Sequence, residues 1–344
     1  MVKISVMLPV YNGADFLELT LASLGEQTTD AFEVLCIDDC STDNSAEIIK
    51  RYEKQDPRFR YINTETNLGS ASKSLNFATR FITGSRFVYS SQDDLFSKDW
   101  LQKLHDRSME TGADAVLPDV EFFYESSKAN RRISGYHGDH SARITGRDAF
   151  AASLDWSIPG NALWPVEFLK DQGFYEFNAF SDEYTVRSWF LKSKEVAFCD
   201  GVFFYRQDNP NAITKKPSPK RLDEVYTNLM VWRLGKENNF DTSVLGPFAL
   251  RTFRSLIRAQ ATIINNPELA GETLRMTQIW DDLQSPAFRT SLEAGVADKK
   301  KPLIGMIYLK AHRSLRWFKL LVRLSAATAR IKDKRGNKAS PTKP

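Results

Sequence analysis

Three pairs of adjacent acids stand out in this chain: Asp38-Asp39, Asp93-Asp94 and Asp182-Glu183. Neighbouring carboxylates repel, so each pair needs a compensating partner or a reason to keep its charge. Asp93 and Asp94 end the apolar run "FVYSSQDDLF". A carboxylate loop after a strand suits a divalent cation, since Mg²⁺ takes one or two carboxylates, several waters and the phosphate oxygens of a substrate. The same pair could instead cap a helix over 97–105. Asp38 and Asp39 could hold a ligand or close an Asx-type turn before Ser41. Asp182 and Glu183 open a predicted helix, where the dipole favours acids and where a general base can also sit.

The elements that position these acids follow from the spacing of apolar residues. Runs at 4–8, 32–37, 60–63 and 87–89 read as strands. Between them, helical spacing appears at Phe16, Leu17, Leu21 and Leu24, at Ile48, Ile49 and Tyr52, and at Leu75, Ala78 and Phe81. Such alternation predicts an α/β fold with a mostly parallel sheet flanked by helices. Ligands of such sheets collect outside the carboxyl ends of the strands. Pro9 and Tyr11, Asp38 and Asp39, and Asp93 and Asp94 would therefore meet in one crevice. Further on, 115–120 reads as a strand, 126–141 as a loop or hairpin, 145–153 as a helix, and 196–205 as a strand interrupted at Asp200-Gly201. The segment 156–164 is aromatic and turn-rich. Prolines and lysines over 215–220 mark a boundary. The expected organisation is 1–215, a helical extension over 216–300, and a basic tail over 301–344.

Composition narrows the function. The chain has 344 residues and a net charge of +4, which carries no signature of nucleic-acid binding. Cys36, Cys40 and Cys199 lack metal spacing and read as reduced thiols. The start of the chain reads as a strand without a signal-peptide layout, and no apolar run spans a bilayer, so a cytoplasmic site is expected. His105, His137, His140 and His312 form no convincing ligand set, and His137 and His140 read as solvated. No Gly-rich phosphate loop follows the first strand, so a nucleotide would be held by its base, its ribose and a metal-bound diphosphate.

The stretch "SVMLPVYNGADFLELTLASLGEQTTDAFEVLCIDDCSTDNS", with "NLGSASKSLNFA" and "SSQDDLFSKDWL" after it, resembles the family-2 inverting glycosyltransferases. The likeness is strong over about 3–110 and loose over 111–210. It implies the GT-A (Rossmann-like) fold, a nucleotide-sugar donor such as a UDP-sugar, and Mg²⁺ or Mn²⁺. By position it puts Pro9, Tyr11 and Asp39, less so Asp38, at the nucleotide base. Asn67, Gly69 and Ser70 approach the nucleotide, and Lys73 its phosphates. Ser91-Gln92-Asp93 stands where the family has Asp-x-Asp, with Asp93 as metal ligand, Asp94 beside it, and Ser91 replacing the first acid. The family base is the Asp of a Glu-Asp pair. Here the order is reversed; Asp182 is favoured and Glu183 is the runner-up. Trp156, Asn161 and Trp164 would border the acceptor, with Arg206 and Gln207 at the site edge. The reaction implied is transfer of a sugar to a hydroxyl of a glycan or lipid-linked acceptor in cell-surface polysaccharide synthesis. A sugar-binding scaffold of the same fold and a nucleotidyltransferase are the alternatives.

The tail adds a partner. Ile304, Ile307, Ala311, Leu315, Phe318 and Val322 recur at helical spacing, and Arg313, Arg316, Lys319 and Arg323 lie off that face, while Trp317, Leu320 and Leu321 do not fit it. A basic amphipathic helix over 303–324 suits a membrane surface on the inner face of the cell membrane. The stretch 332–344 is polar and Lys-rich and is expected to be disordered.

Overall fold

The computed structural model describes residues 4–125, 130–297 and 302–336. The chain divides between Pro210 and Asn211 into two compact units. In the first, β1 (Ile4–Val10), β2 (Phe32–Asp38), β3 (Phe59–Asn63) and β4 (Arg86–Tyr89) are parallel, in the spatial order β3-β2-β1-β4. The helices α1 (Ala14–Gly25), α2 (Ser45–Gln55) and α3 (Ala71–Ala78) connect them. A parallel sheet is covered on both faces, which is why β1 and β2 read as continuous apolar runs rather than alternating ones.

The strand ends come together as expected. Val10 pairs with Asp38, and Met7 pairs with Tyr89. The N–H of Asp39 donates to Val10 O at 2.8 Å, and that of Ser90 to Met7 O at 3.1 Å. Pro9 fits inside β1 because pairing with β4 has already stopped at Met7, so its missing N–H interrupts no bond on that side.

A second sheet is built from β5 (Leu95–Phe96), β6 (Ala115–Phe123), β7 (Arg131–Ile133), β8 (Arg143–Thr145) and β10 (Glu195–Arg206). Its long central pair, β6 and β10, is parallel; β5, β7 and β8 run antiparallel to their neighbours. The interruption read at Asp200-Gly201 is a bulge, with a register shift between Phe198 and Val202. The hairpin read over 126–141 is formed by β6 and β7, although 126–129 lie outside the described residues. Buried Asp119 pins it, accepting from Arg132, Ser134, the N–H of Gly135 and His140 Nε2 at 2.7–3.0 Å. His140 is thus a tether rather than a solvated residue.

The helix α4 (Trp100–Thr111) starts with Asp99 at its cap position, so neither Asp93 nor Asp94 caps it. The remaining elements of this unit are α5 (Gly146–Ser153), β9 (Trp164–Pro165), α6 (Val166–Asp171) and α7 (Ser181–Lys192). β9 adds an antiparallel edge to the first sheet, pairing Trp164 with Phe87. Here the reading of Trp164 as an acceptor residue is corrected. Its side chain is 0% exposed and packs on Trp189 at 5.4 Å and Phe190 at 5.2 Å.

The second unit is helical: α8 (Pro219–Glu237), α9 (Thr242–Asn265), α10 (Thr273–Asp282), α11 (Pro286–Val296), α12 (Pro302–Arg313) and α13 (Leu315–Gly336). The segments read as a separate extension and tail form one body. Phe318 stacks on Trp280 at 4.1 Å and on Phe253 at 5.9 Å, and His312 Nε2 lies 2.8 Å from Leu283 O. The single amphipathic helix read over 303–324 is broken at Ser314, so its apolar face is divided. Ala311, Phe318 and Val322 are buried, whereas Ile304, Ile307 and Leu315 are exposed. Backbone helix continues to Gly336, which corrects the expectation of disorder for 332–336; residues 337–344 lie outside the described residues.

The place of Trp164 is open to a direct check. Trp164→Ala empties a closed aromatic site, so it should destabilise the first unit by about 3–5 kcal/mol in urea unfolding. An unchanged midpoint together with a raised acceptor KM would return Trp164 to the acceptor site.

Candidate active site

The loops leaving β1 and β2 are laced into one rim. Asn12, at φ +50°, accepts the N–H of Thr42 at 2.8 Å, and its own N–H donates to Ser41 Oγ at 3.0 Å. The N–H of Gly13 donates to Ser45 Oγ at 2.9 Å. Across the rim, the Gln92 side chain clamps the backbone of Tyr11: Tyr11 N–H donates to its Oε1 at 2.7 Å, and its Nε2 donates to Tyr11 O at 3.1 Å. A Cβ on Gly13 would sit 2.4 Å from that Oε1, so glycine is required for the clamp to close. Tyr11 itself is half-exposed.

The second acid pair divides its duties. Asp38 accepts the N–H of Ser41, three residues on, at 3.0 Å, which closes the turn, and the Tyr61 hydroxyl at 3.0 Å. Asp39 shapes the next loop instead. Its Oδ1 accepts from Leu68 N–H at 2.7 Å and Thr64 Oγ1 at 3.0 Å, and its Oδ2 from Gly69 N–H at 3.3 Å. Asn67 Nδ2 donates back to Asp39 O at 3.0 Å. Gly69 takes φ +85°, a left-handed conformation that favours glycine. Ser70 caps α3 by accepting from Lys73 N–H at 3.4 Å, and Lys73 is exposed. The Oδ2 of Asp39, with one long bond, keeps room for a further donor.

The loop after β4 treats its two acids in opposite ways. Asp93 receives Ser91 Oγ on Oδ1 and Asn209 Nδ2 on Oδ2, both at 2.6 Å. A carboxylate has about four lone-pair sites, so two remain for a cation. Ser91 suits this place: a second acid 2.6 Å away would repel Asp93, while the hydroxyl steadies its charge. Asp94 turns inward and is 2% exposed, its Oδ1 accepting the N–H of Arg206 at 3.0 Å. Burial, then the neighbouring charge of Asp93, pushes its carboxyl well above the usual range. The reading of Asp94 as a metal ligand is corrected on this ground. Among the described residues no cluster of three His, Cys, Asp or Glu encloses a cation. The donor set is the sparse one that Mg²⁺ uses with a phosphorylated substrate, and Asp93 fits it.

Arg206 is also reassigned. Its side chain is 2% exposed, donates to Asp93 O at 2.8 Å and Asp208 Oδ1 at 3.1 Å, and is covered by the rings of Phe16 and Phe123. It braces the loop and has no open face for phosphate or acceptor. Gln207 is partly exposed, and its N–H donates to Phe123 O at 2.8 Å.

At the start of α7 the acids again differ. Glu183 pairs with Arg187, which also donates to Ser153 O at 3.0 Å. Asp182 keeps its carboxylate unpaired by any cation side chain within salt-bridge distance among the described residues. Burial, then the charge of Glu183, pushes its pKa up to about 7. The same charges reach the strand that leads into the Asp93 loop. The phenol of Tyr89, the last residue of β4, is raised by burial and then by Asp182 and Glu183. Tyr205 is raised by burial and then by Asp94, Glu183, Asp93 and Asp182. Tyr205 thus feels the charges of all four acids. Neither tyrosine, nor the Gln92 clamp, was singled out in the sequence.

The loop before α7 is held by Asn76 of α3, whose Oδ1 accepts from Phe174 N–H at 2.7 Å while its Nδ2 donates to Phe174 O at 2.8 Å. Tyr175 and Phe177, each 37% exposed, pack against Tyr184 and give this side an aromatic surface. Trp156, at φ +63°, lies on a shallow cleft with Arg131, Arg132 and His137. Asn161 is partly exposed near it in sequence.

Residues 5–173 match the model of "Glycosyl transferase family 2". Glycosyltransferase GlyG of Streptococcus pneumoniae serotype 4 is 26% identical over 223 residues, 59% of this chain and 70% of that one. The teichuronic acid biosynthesis glycosyltransferase TuaG of Bacillus subtilis, putative in its name, is 36% identical over 107 residues; the alignment spans only 42% of its length. Among solved structures, TarS 1–349 of S. aureus in complex with UDP-GlcNAc superposes with a TM-score of 0.68 at 18% identity, covering 96% of this chain and 92% of that one. The mannosyltransferase PcManGT of Pyrobaculum calidifontis, with GDP-Man and Mn²⁺, gives 0.53 at 17% identity, covering 88% and 87%. With its strand-end motifs inside the matched segment and the chain folded as these structures are, residues 5–173 are a glycosyl transferase family 2 segment in a glycosyltransferase of GT-A fold.

Proposed function

We propose that the protein transfers a sugar, with inversion, from a UDP-sugar to a hydroxyl of a glycan or lipid-linked acceptor in the synthesis of a cell-surface polysaccharide, working at the inner face of the cell membrane. The observation that supports the reading is the loop after β4, where Asp93 accepts from Ser91 and Asn209 and keeps lone pairs for a cation, together with Asp182 at the start of α7, whose pKa is pushed up to about 7. The UDP assignment draws on the UDP-GlcNAc bound by TarS. The acceptor class draws on names among the relatives, which include a poly(ribitol-phosphate) β-glucosyltransferase.

In this reading Tyr11 packs on the base, and the free lone pairs of Asp39 Oδ2 accept from its ring N–H. Asn67, Gly69 and Ser70 border the nucleotide, and Lys73 reaches its phosphates. Asp93 holds Mg²⁺ or Mn²⁺, which when bound supplies charge neutralisation for the leaving diphosphate. Asp182 takes the proton of the attacking hydroxyl as the new bond forms at the anomeric carbon. A carboxylate of ordinary pKa is a weak base, and one raised to about 7 is better matched to neutral pH. Glu183, paired with Arg187, serves Asp182 as a field rather than as a second base. Trp156, Asn161 and Gln207, with the exposed rings of Tyr175 and Phe177, line the acceptor side.

The base predicts a pH profile. It acts ionised, so kcat should fall about tenfold per pH unit below 7 and level off above it. Asp182→Asn should lower kcat by about 100-fold or more with nucleotide affinity intact. Glu183→Gln removes the charge that raises Asp182, so the profile should move to lower pH. A profile that stays in place under Glu183→Gln counts against the coupling.

The metal role is tested by chelation. EDTA should stop release of nucleoside diphosphate from a UDP-sugar, and Mn²⁺ or Mg²⁺ should restore it. Asp93→Ala should cost about 100-fold at any metal concentration. Turnover that survives both would remove Asp93 from the metal.

A further inference from the structure

The helix α13 has two apolar faces, and the helical unit uses one of them. Phe318, Val322 and Ala326 are 1–3% exposed, and Asn265 Nδ2 donates to Ala326 O at 3.0 Å. On the opposite side Trp317, Leu320, Leu324 and Ile331 are 41%, 45%, 56% and 53% exposed. Their spacing of three, four and seven residues draws a straight stripe down the helix, with exposed Ala327 completing it. Turned about 100° per residue, Arg316, Lys319 and Arg323 fall together along one flank of this stripe. They are exposed, and none has an ion pair among the described residues.

The preceding helix continues the surface. In α12, Leu303, Met306 and Ile307 are 74%, 63% and 47% exposed and share a face with Lys310. Lys310 Nζ sits 3.8 Å from the centroid of the Trp317 ring, so the two exposed ridges adjoin at that point. Between Lys310 and Pro344 the sole acid is Asp333. A contiguous exposed apolar ridge is unusual on a soluble surface and marks an interaction site. Its cationic flank specifies the charge of what it meets.

We infer that the outer faces of α12 and α13 dock this protein on an anionic lipid bilayer, with Trp317, Leu320 and Leu324 entering the interface and Arg316, Lys319 and Arg323 meeting the headgroups. The face differs from the one spacing alone picked out, because Phe318 and Val322 are committed to the helical unit. Apolar insertion and cationic attraction act together in such helices. The inference extends the membrane half of the proposed function and is independent of its chemistry.

The test uses the full chain and sedimentation with phosphatidylcholine vesicles, with and without phosphatidylglycerol. The protein should bind the anionic vesicles and release as salt rises. R316E/K319E/R323E should lower partitioning at least about tenfold. W317S/L320S/L324S should lower it comparably at low salt. UDP-sugar turnover with a soluble acceptor, measured on the same samples, should be unchanged in both variants. That readout shows that the variants are folded, and its absence in the parent chain would count against the donor reading alone. Binding that is absent or indifferent to phosphatidylglycerol overturns the inference. So does a dimer in light scattering that W317S/L320S/L324S dissolves without any vesicle binding, since the face would then belong to a second copy.

Discussion

Arg206 is the fixed point on which the site rests. It ends β10, the central strand of the second sheet, yet its contacts lie on the loop that leaves the first. Its backbone N–H holds Asp94, its guanidinium holds Asp93 O and Asp208, and two phenylalanine rings close over it. A buried guanidinium is tolerated only where nearly all its donors are met, so the loop has little freedom to move while Arg206 stays where it is. That constraint sets the direction of Asp93. Tyr205, the neighbour of Arg206, feels the charges of both acid pairs.

Repelling acids side by side are resolved in each pair by giving the two members unlike surroundings. Asp38 closes a turn while Asp39 gathers the N–H groups of Leu68 and Gly69. Asp94 is buried and pushed towards its neutral form, while Asp93 accepts from Ser91 and Asn209. Glu183 pairs with Arg187, while burial and the charge of Glu183 raise the proton affinity of Asp182. In the proposed chemistry, separating titratable neighbours in this way lets one loop supply both a ligand and a brace, and one helix start both a base and a field.

The first sheet was legible because a doubly covered parallel strand announces itself as an apolar run, and its end as the polar residue that follows. Asp39 and Asp93 could be picked out because each follows such an end, whereas Gly69 and Ser91 were picked out by the family resemblance. The braces were not legible. Gln92 reaches Tyr11 across 81 positions and Asn76 reaches Phe174 across 98, and a single amide in a loop carries no period. Trp164 and Arg206 were misread for a related reason. Both sit at strand ends near the site in sequence, and the letter does not say which way the side chain faces. Packing on Trp189 decides it for one, and the rings of Phe16 and Phe123 for the other.

The tail shows the same limit in a helix. Periodicity assumes one unbroken axis, and a break at Ser314 resets the phase by an amount the sequence does not state. Residues before and after the break that share a face on a straight helix then part company. Ala311 and Phe318 stay inside, while Ile307 and Leu315 turn out. What made Trp317 and Leu320 seem misplaced on the first face is that they belong to a second one. An amphipathic helix with its apolar side already buried should be polar elsewhere; α13 is not, and the excess is ordered into a stripe rather than scattered. Ordered apolar surface beside cations that have no ion pair among the described residues is better explained by a partner outside the chain than by packing, because packing has already been satisfied on the other side.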